Sequence, residues 1–291
     1  MIGPTFEPPP DLADAARTVF GERLPLATAY ARRLATDGVV RGLIGPRETE
    51  RIWDRHLLNC AVVGELVPSG SLVTDVGSGA GLPGLVLAIA RPDLTVVLVE
   101  PLARRTAFLS EVVSDLGLGH VVVERARAED AVATVSPADV VTARAVAPLD
   151  RLAAWCLPLA RVGGRLLALK GATAAEEIEA YGDAVTRLGG GTPEIRSCGV
   201  EVLAAPTTVV EVVRERAVTP APSRSRTPGS ARSGGSGGSR GSARSGGSGG
   251  SARSGGSGGA GGSTGTDGVG RAGGAGRARP ASRSGRRPGK R

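Results

Sequence analysis

Between Asp75 and Leu85 the chain places Gly77, Gly79, Gly81 and Gly84, four glycines inside eight residues, with Pro83 ahead of an apolar run from Leu85 to Ala90. Glycines at that density permit a tight turn, a close approach of backbone to ligand, and close packing of the helix that follows. A buried strand feeding such a turn and a helix start is how a doubly wound α/β domain receives an anionic or nucleoside ligand. Glu100 stands 19 residues after Gly81, at the end of the next apolar run. A carboxylate there accepts both ribose hydroxyls of a bound nucleoside. NAD, FAD, nucleotides and S-adenosylmethionine are all received by turns of this kind, so turn and acid do not choose among them. A merely tight turn and a solvated acid at a strand end are the plainer alternatives.

Other side chains could act beside that turn. Arg144 ends the run DVVTAR (139 to 144), where it either meets a ligand or pairs with Asp139 or Asp150 at the sheet edge. Lys170 ends RLLALK beside Gly171, in reach of a phosphate or simply solvated, and Arg104 and Arg105 open a charged helix face. His56 and His120 are the only histidines and lie far apart, with His120 at a strand start where a structural role is expected. Cys60, Cys156 and Cys198 are odd in number, widely spaced and without a CxxC pair. That usage suits a reducing cytoplasm and argues against zinc or a disulfide framework, so no metal is expected. Cys156, inside an apolar helix, reads as a core thiol.

These residues need a scaffold. After a Pro-rich lead, Asp11 is a plausible N-cap for a helix to about Phe20, and a second helix runs from about Leu24 to Thr36. From Glu48 to Val67, apolar Ile52, Leu57, Cys60, Val63 and Leu66 share one helical face. Strands then alternate with helices: LVTDV (72 to 76), LTVVLVE (94 to 100), HVVVE (120 to 124), DVVTAR and RLLALK (165 to 170). A helix from Leu149 to Leu159 leads through Gly163-Gly164 to the fifth strand, and EIRSCGVEVL with TTVVEVVRE form a closing pair. This alternation means a mostly parallel sheet covered on both faces.

Charge divides the chain. Residues 1 to 216 carry 22 Lys and Arg against 27 Asp and Glu, while residues 217 to 291 carry 14 against 1, which together give the net +8. The front is a mildly acidic domain large enough for a real core. In the remainder SARSGGSGG recurs at 230, 242 and 251 and apolar residues almost vanish, so disorder is expected from 217 to 291. The organisation expected is a helical region 1 to 68, an α/β domain 69 to 216, and the tail. The N-terminus has early acids and prolines instead of a signal peptide, and no stretch reaches about 18 apolar residues. A soluble, cytoplasmic protein follows.

DVGSGAGLPG, then EPLARRTAFL, RARAED, VVTARAVAPLDRL and ALKG, with RHLLN upstream, resembles the bacterial 16S rRNA guanine-N7 methyltransferase G family, also called glucose-inhibited division protein B. The likeness covers residues 20 to 215. It implies a class I, Rossmann-like methyltransferase with a seven-stranded, mostly parallel sheet and S-adenosylmethionine over the carboxyl ends of its strands. It implies that Gly77, Gly79 and Leu82 contact the cofactor, with Glu100 at the ribose, Ala128 and Glu129 at the adenine, and Arg144 beside the methionine end and the target base. His56 and Asn59 are carried over as substrate-side candidates, although the chain departs from the family pattern there, with Asn59-Cys60 in place of the Asp-Ser usual after this His. Lys170, Arg104, Arg105 and His56 are thus the expected RNA contacts, and 16S rRNA or the small ribosomal subunit the expected partner of a monomeric enzyme.

The chemistry implied is undemanding of acids and bases. Guanine N7 has an in-plane lone pair and no proton, so alignment and electrostatics must supply most of the rate. After the fourth strand stands Thr142-Ala143-Arg144-Ala145, without the Asn/Asp-Pro-Pro-aromatic pattern of exocyclic amine methylation or a Pro-Cys for attack on a pyrimidine. Arg144 would favour O6 or a phosphate, leaving N7 open. The rival readings are a methyltransferase for another RNA or a small molecule, an NAD-dependent oxidoreductase, and a non-enzymatic RNA-binding protein. The tail, arginines among Gly and Ser without aromatics, suits loose contact with phosphate backbones, or is a solubilising extension.

Overall fold

The structure is a computed structural model that describes residues 6–144 and 147–218. The expectation of disorder from 217 to 291 falls almost entirely outside those residues. Seven strands form one sheet: β1 (Leu72–Val76), β2 (Thr95–Val99), β3 (Val121–Glu124), β4 (Ala138–Arg144), β5 (Ala160–Leu169), β6 (Glu194–Cys198) and β7 (Thr207–Val213), in the order 3-2-1-4-5-7-6. β1 to β5 run parallel, and β7 lies antiparallel to both β5 and β6. The order reverses between β1 and β4, which opens a crevice at the carboxyl ends of those strands.

Alternation along each strand sends side chains to two cores. Val73, Val96, Leu98, Val140 and Leu167 face one core, shared with α1 (Ala13–Phe20), α2 (Leu24–Arg33), α3 (Asn59–Ala61), α4 (Gly84–Ala90) and α5 (Ala103–Asp115). Val76, Val141, Ala143, Leu166 and Val210 face the other, shared with α6 (Ala128–Ala131), α7 (Leu149–Cys156) and α8 (Ala174–Arg187). The N-terminal helices therefore bury Phe20, Tyr30 and Leu57 in the same core as α4. Each such side chain removed from water contributes roughly 1.5–3 kcal/mol.

Several expectations change: Asp11 lies inside a 3-10 turn (Pro10–Leu12) and α1 begins after Leu12 without a side-chain cap, and the helix expected to Thr36 ends at Arg33 and continues as a π segment (Leu34–Gly38). The single helix from Glu48 to Val67 is instead a 3-10 turn (Pro46–Arg51), a π-helical segment (Ile52–Leu58), α3 and a second 3-10 turn (Val62–Leu66). Apolar spacing fits all of these, and π segments gather where a side chain must be re-aimed; this one carries His56. Gly163-Gly164, expected as a turn before the fifth strand, lies inside β5, where the register with β4 shifts between Ala138 and Val140. Gly163 takes φ +83°, and a Cβ on Gly164 would sit 2.9 Å from the carbonyl oxygens of Ala138 and Asp139, so the strand bulges where only glycine fits.

Candidate active site

The turn between β1 and α4 is built around a buried carboxylate. Alternation places Asp75, Thr142 and Arg144 on one face of adjacent strands, with Asp75 directly opposite Thr142. Asp75 Oδ1 accepts from Thr142 Oγ1 at 2.8 Å, and Oδ2 accepts from Gly84 N–H, the start of α4, at 3.1 Å. Burial raises its pKa to about 6, against the pull of those hydrogen bonds. Gly84 is required here, because a Cβ would run into Leu98 and the Asp75 side chain. From α2, the buried Tyr30 hydroxyl donates to Ala80 O at 2.7 Å and fixes the turn from below.

The turn's amides point inward. Gly77 and Ser78 N–H donate to Val99 O (2.9 and 3.2 Å), and Gly79 N–H donates to Glu100 Oε2 (3.0 Å). Gly81 and Leu82 N–H donate to Ser78 O (2.6 and 3.0 Å). Phosphate sites at helix starts work by offering free N–H groups, and these are committed. The same turn, with Gly77 at φ +68° and Gly79 at +58°, lines a cavity of about 690 Å³, in the usual range for a small-molecule site. It suits a ligand that is not an anion at this end.

Glu100 is buried in the wall of that cavity. Its carboxylate accepts from Gly79 N–H and Leu102 N–H at 3.0 Å each, and more distantly from Arg105 Nη1 at 3.5 Å. A carboxylate has about four acceptor positions, so one stays open for a hydroxyl. Leu82, Ala128 and Glu129 line the same cavity, together with Arg105, Arg127 and Trp155. Arg151 stacks over the Trp155 ring at 5.0 Å.

Arg144, half-buried at the end of β4, also lines the cavity. It pairs with neither Asp139, which takes Arg161 (2.7 Å) and Leu72 N–H (2.8 Å), nor Asp150. Instead Nη2 donates to His56 Nδ1 at 2.8 Å and Nη1 donates to Cys60 Sγ at 3.3 Å. His56, expected to meet RNA, is buried with its ring against Arg144. Lys170, expected at a phosphate, is turned inward too: Nζ donates to Ala147 O and to Glu177 Oε2, both at 2.8 Å, with the side chain 8% exposed. Asn59 is likewise internal, its Oδ1 accepting from Thr207 Oγ1. Arg104 is exposed and Arg105 belongs to the cavity wall. His120 Nε2 lies 3.0 Å from Ala88 O, the structural role expected of it. Asp75, Tyr30 and Trp155 were not singled out in the sequence. For Asp75 the signal was available, a carboxylate in the middle of an apolar strand.

A family model described as rRNA small subunit methyltransferase G matches residues 23–202. The chain belongs to that family. The ribosomal RNA small subunit methyltransferase G of Salinispora tropica is 67% identical over 220 residues, 74% of this chain and 91% of that protein. The same-named protein of Salinispora arenicola is 64% identical over 242 residues, 80% of this chain and all of the other. Among solved structures, an rRNA methylase from Streptococcus thermophilus is similar at 16% identity, covering 55% of this chain and 95% of that one with a TM-score of 0.38.

The methyltransferase's own sheet is of the class I kind, seven strands with the last-numbered one reversed. Its methyl donor is S-adenosylmethionine, and the cavity fits that molecule on three counts. Gly77 and Gly79 hold the cradle at positive φ, a backbone that side-chain-bearing residues rarely adopt, the buried Glu100 keeps an acceptor for a ribose hydroxyl, and the cavity of about 690 Å³ has room for a nucleoside-sized ligand. Among the described residues no cluster of His, Cys, Asp or Glu could hold a metal.

Proposed function

We propose that this methyltransferase transfers a methyl group from S-adenosylmethionine to N7 of a guanine in 16S rRNA. The observation that carries the reading is Arg144, a fixed guanidinium in the cavity wall whose titratable neighbours are each already engaged. Of its neighbours, Cys60 has its thiol pushed up to about 11 by burial and His56 is tied to the guanidinium, while the nearby Asp75 is bound to Gly84 and Thr142. None is free to take a proton, and guanine N7 has none to give. The bound donor supplies an electrophilic methyl carbon on a sulfonium. The chain's own residues bind and align: Gly77, Gly79 and Leu82 shape the cradle, Glu100 takes the ribose, Ala128 and Glu129 border the adenine, and Arg144 orients the base through O6 or a phosphate, leaving N7 open.

RNA reaches the site past the exposed Arg104 and Arg127. The reading includes a helical region 1–68 packed on a methyltransferase domain 69–216, a cytoplasmic monomer, and a basic tail that touches RNA backbone without reading bases. No helix of the described residues is long and apolar enough to cross a membrane. Incubating 16S rRNA with labelled donor, then cleaving with borohydride and aniline, reports N7-methylguanine directly. Label with no such cleavage site refutes the assignment. Truncation after Arg216 tests the tail: unchanged affinity and salt dependence leave it without a binding role.

A further inference from the structure

The contacts of His56 have no place in a scheme that needs no base, yet they are specific. A guanidinium only donates, so Nδ1, 2.8 Å from Arg144 Nη2, must present a bare lone pair, and any ring proton must sit on Nε2. Nε2 is buried and has no aligned hydrogen-bond partner, but it lies 3.0 Å from Glu48 Oε2, a carboxylate that also meets Arg55 Nε at 3.5 Å. The second guanidinium nitrogen rests on Cys60 Sγ. Three successive short segments of different helical type supply these groups: Glu48 from the 3-10 turn, His56 from the π segment and Cys60 from α3.

We propose that His56 is a positioning residue, a neutral imidazole that aims the Arg144 guanidinium into the cavity while Glu48 fixes the ring from its far side and Cys60 seats the second nitrogen. This deepens the proposed function and rests on its placing of Arg144 at the substrate. The charged groups facing His56 are Arg144 from β4, Glu48 from the preceding turn and Arg55 on its own segment. Burial and the Arg144 charge hold the ring neutral, its pKa pushed down to about 4. A protonated ring would lose the lone pair and set a cation against Arg144. Arg144 keeps three of its five N–H groups for substrate.

Two measurements test this on the full chain. With histidine labelled on its ring nitrogens, His120→Gln assigns the two imidazoles by NMR. The expected result is a neutral His56 at pH 7 with its proton on Nε2, and a changed tautomer balance or titration in Arg144→Ala. A proton on Nδ1, a charged ring at pH 7, or an unchanged spectrum in Arg144→Ala overturns the proposal. In the methylation assay, His56→Leu should lower kcat about 100-fold, the loss that a small misplacement brings. Donor Kd should stay within about threefold. His56→Asn, whose amide oxygen can stand where Nδ1 stood, should recover about tenfold of the loss. Added to Arg144→Ala, His56→Leu should cost less than about a further twofold. Multiplying losses, or Asn no better than Leu, overturn the proposal. If no N7-methylguanine forms with the unaltered enzyme, the proposed function fails, and the NMR result still decides the role of His56. It also decides should His56→Leu not fold.

Discussion

Tyr30 offers a test of how the N-terminal helices control the cofactor site. Its side chain is fully buried, and its hydroxyl donates to Ala80 O at 2.7 Å, in the turn between Gly79 and Gly81. Burial raises the phenol pKa well above its ordinary value, so it remains a donor at any working pH. Tyr30→Phe keeps the ring and removes only the O–H. A buried hydrogen bond is worth ~1 kcal/mol net, and an abandoned buried carbonyl costs ~1–3 kcal/mol, so a loss of about 2 kcal/mol is expected. For a folded unit of this size, that lowers Tm by about 4–8 °C. Since 1.4 kcal/mol is tenfold in binding, about 2 kcal/mol caps the rise in donor Kd near 30-fold, and a rise of about 3–10-fold is expected. Differential scanning calorimetry gives the first quantity. Fluorescence titration gives the second, because Trp155 lines the cavity. A lowered Tm with unchanged Kd would show that Tyr30 fills the core without holding the turn, and no change in either would show the hydroxyl to be idle.

Three further expectations follow from the geometry. Glu100→Ala removes the acceptor for Gly79 and Leu102 amides and for a ribose hydroxyl, so donor affinity should fall by about 10- to 100-fold, read by titration calorimetry. Lys170→Met leaves Glu177 and Ala147 O without their partner and should cost about 2–4 kcal/mol in urea melts while the salt slope of RNA binding is unchanged; Arg104→Ala should do the reverse, reducing that slope by about 1. The depressed pKa of His56, about 4 instead of 6.5, makes the unfolded chain the better proton binder, so its contribution is present above pH 6.5 and is lost as pH falls toward 4. The stability gap between the unaltered protein and His56→Asn should therefore widen by about 2 kcal/mol from pH 4.5 to 6.5, measured by denaturant unfolding at both pH values.

The sheet was legible because parallel strands buried on both faces read as β-branched runs, and each of the seven strands overlaps the run that predicted it. Among the cavity residues, Gly77, Gly79 and Glu100 were legible because a glycine turn and a strand end mark them locally, whereas Leu82, Ala128, Glu129 and the ligand-side role of Arg144 rested on the family resemblance. What escaped depends on contacts across long separations. Lys170 reads as a solvated strand end until Glu177 and Ala147 fold over it. His56 reads as one face of a regular helix, and only a π segment turns it to a residue 88 positions away. Gly163-Gly164 reads as a turn because glycine pairs usually are; the carbonyls of the neighbouring strand, invisible in local sequence, make it a bulge.

The inward amides of the β1–α4 turn bear on selectivity in a crowded cell. ATP and the dinucleotides share adenosine with the methyl donor and outnumber most ligands, so an adenosine pocket alone would be occupied by the wrong molecule. Here a triphosphate tail would lie against peptide groups whose hydrogens are already spent, above the buried Asp75 carboxylate, and would lose its water without replacement. At this turn the backbone itself thus disfavours a phosphate chain, without a bulky side chain standing in the way.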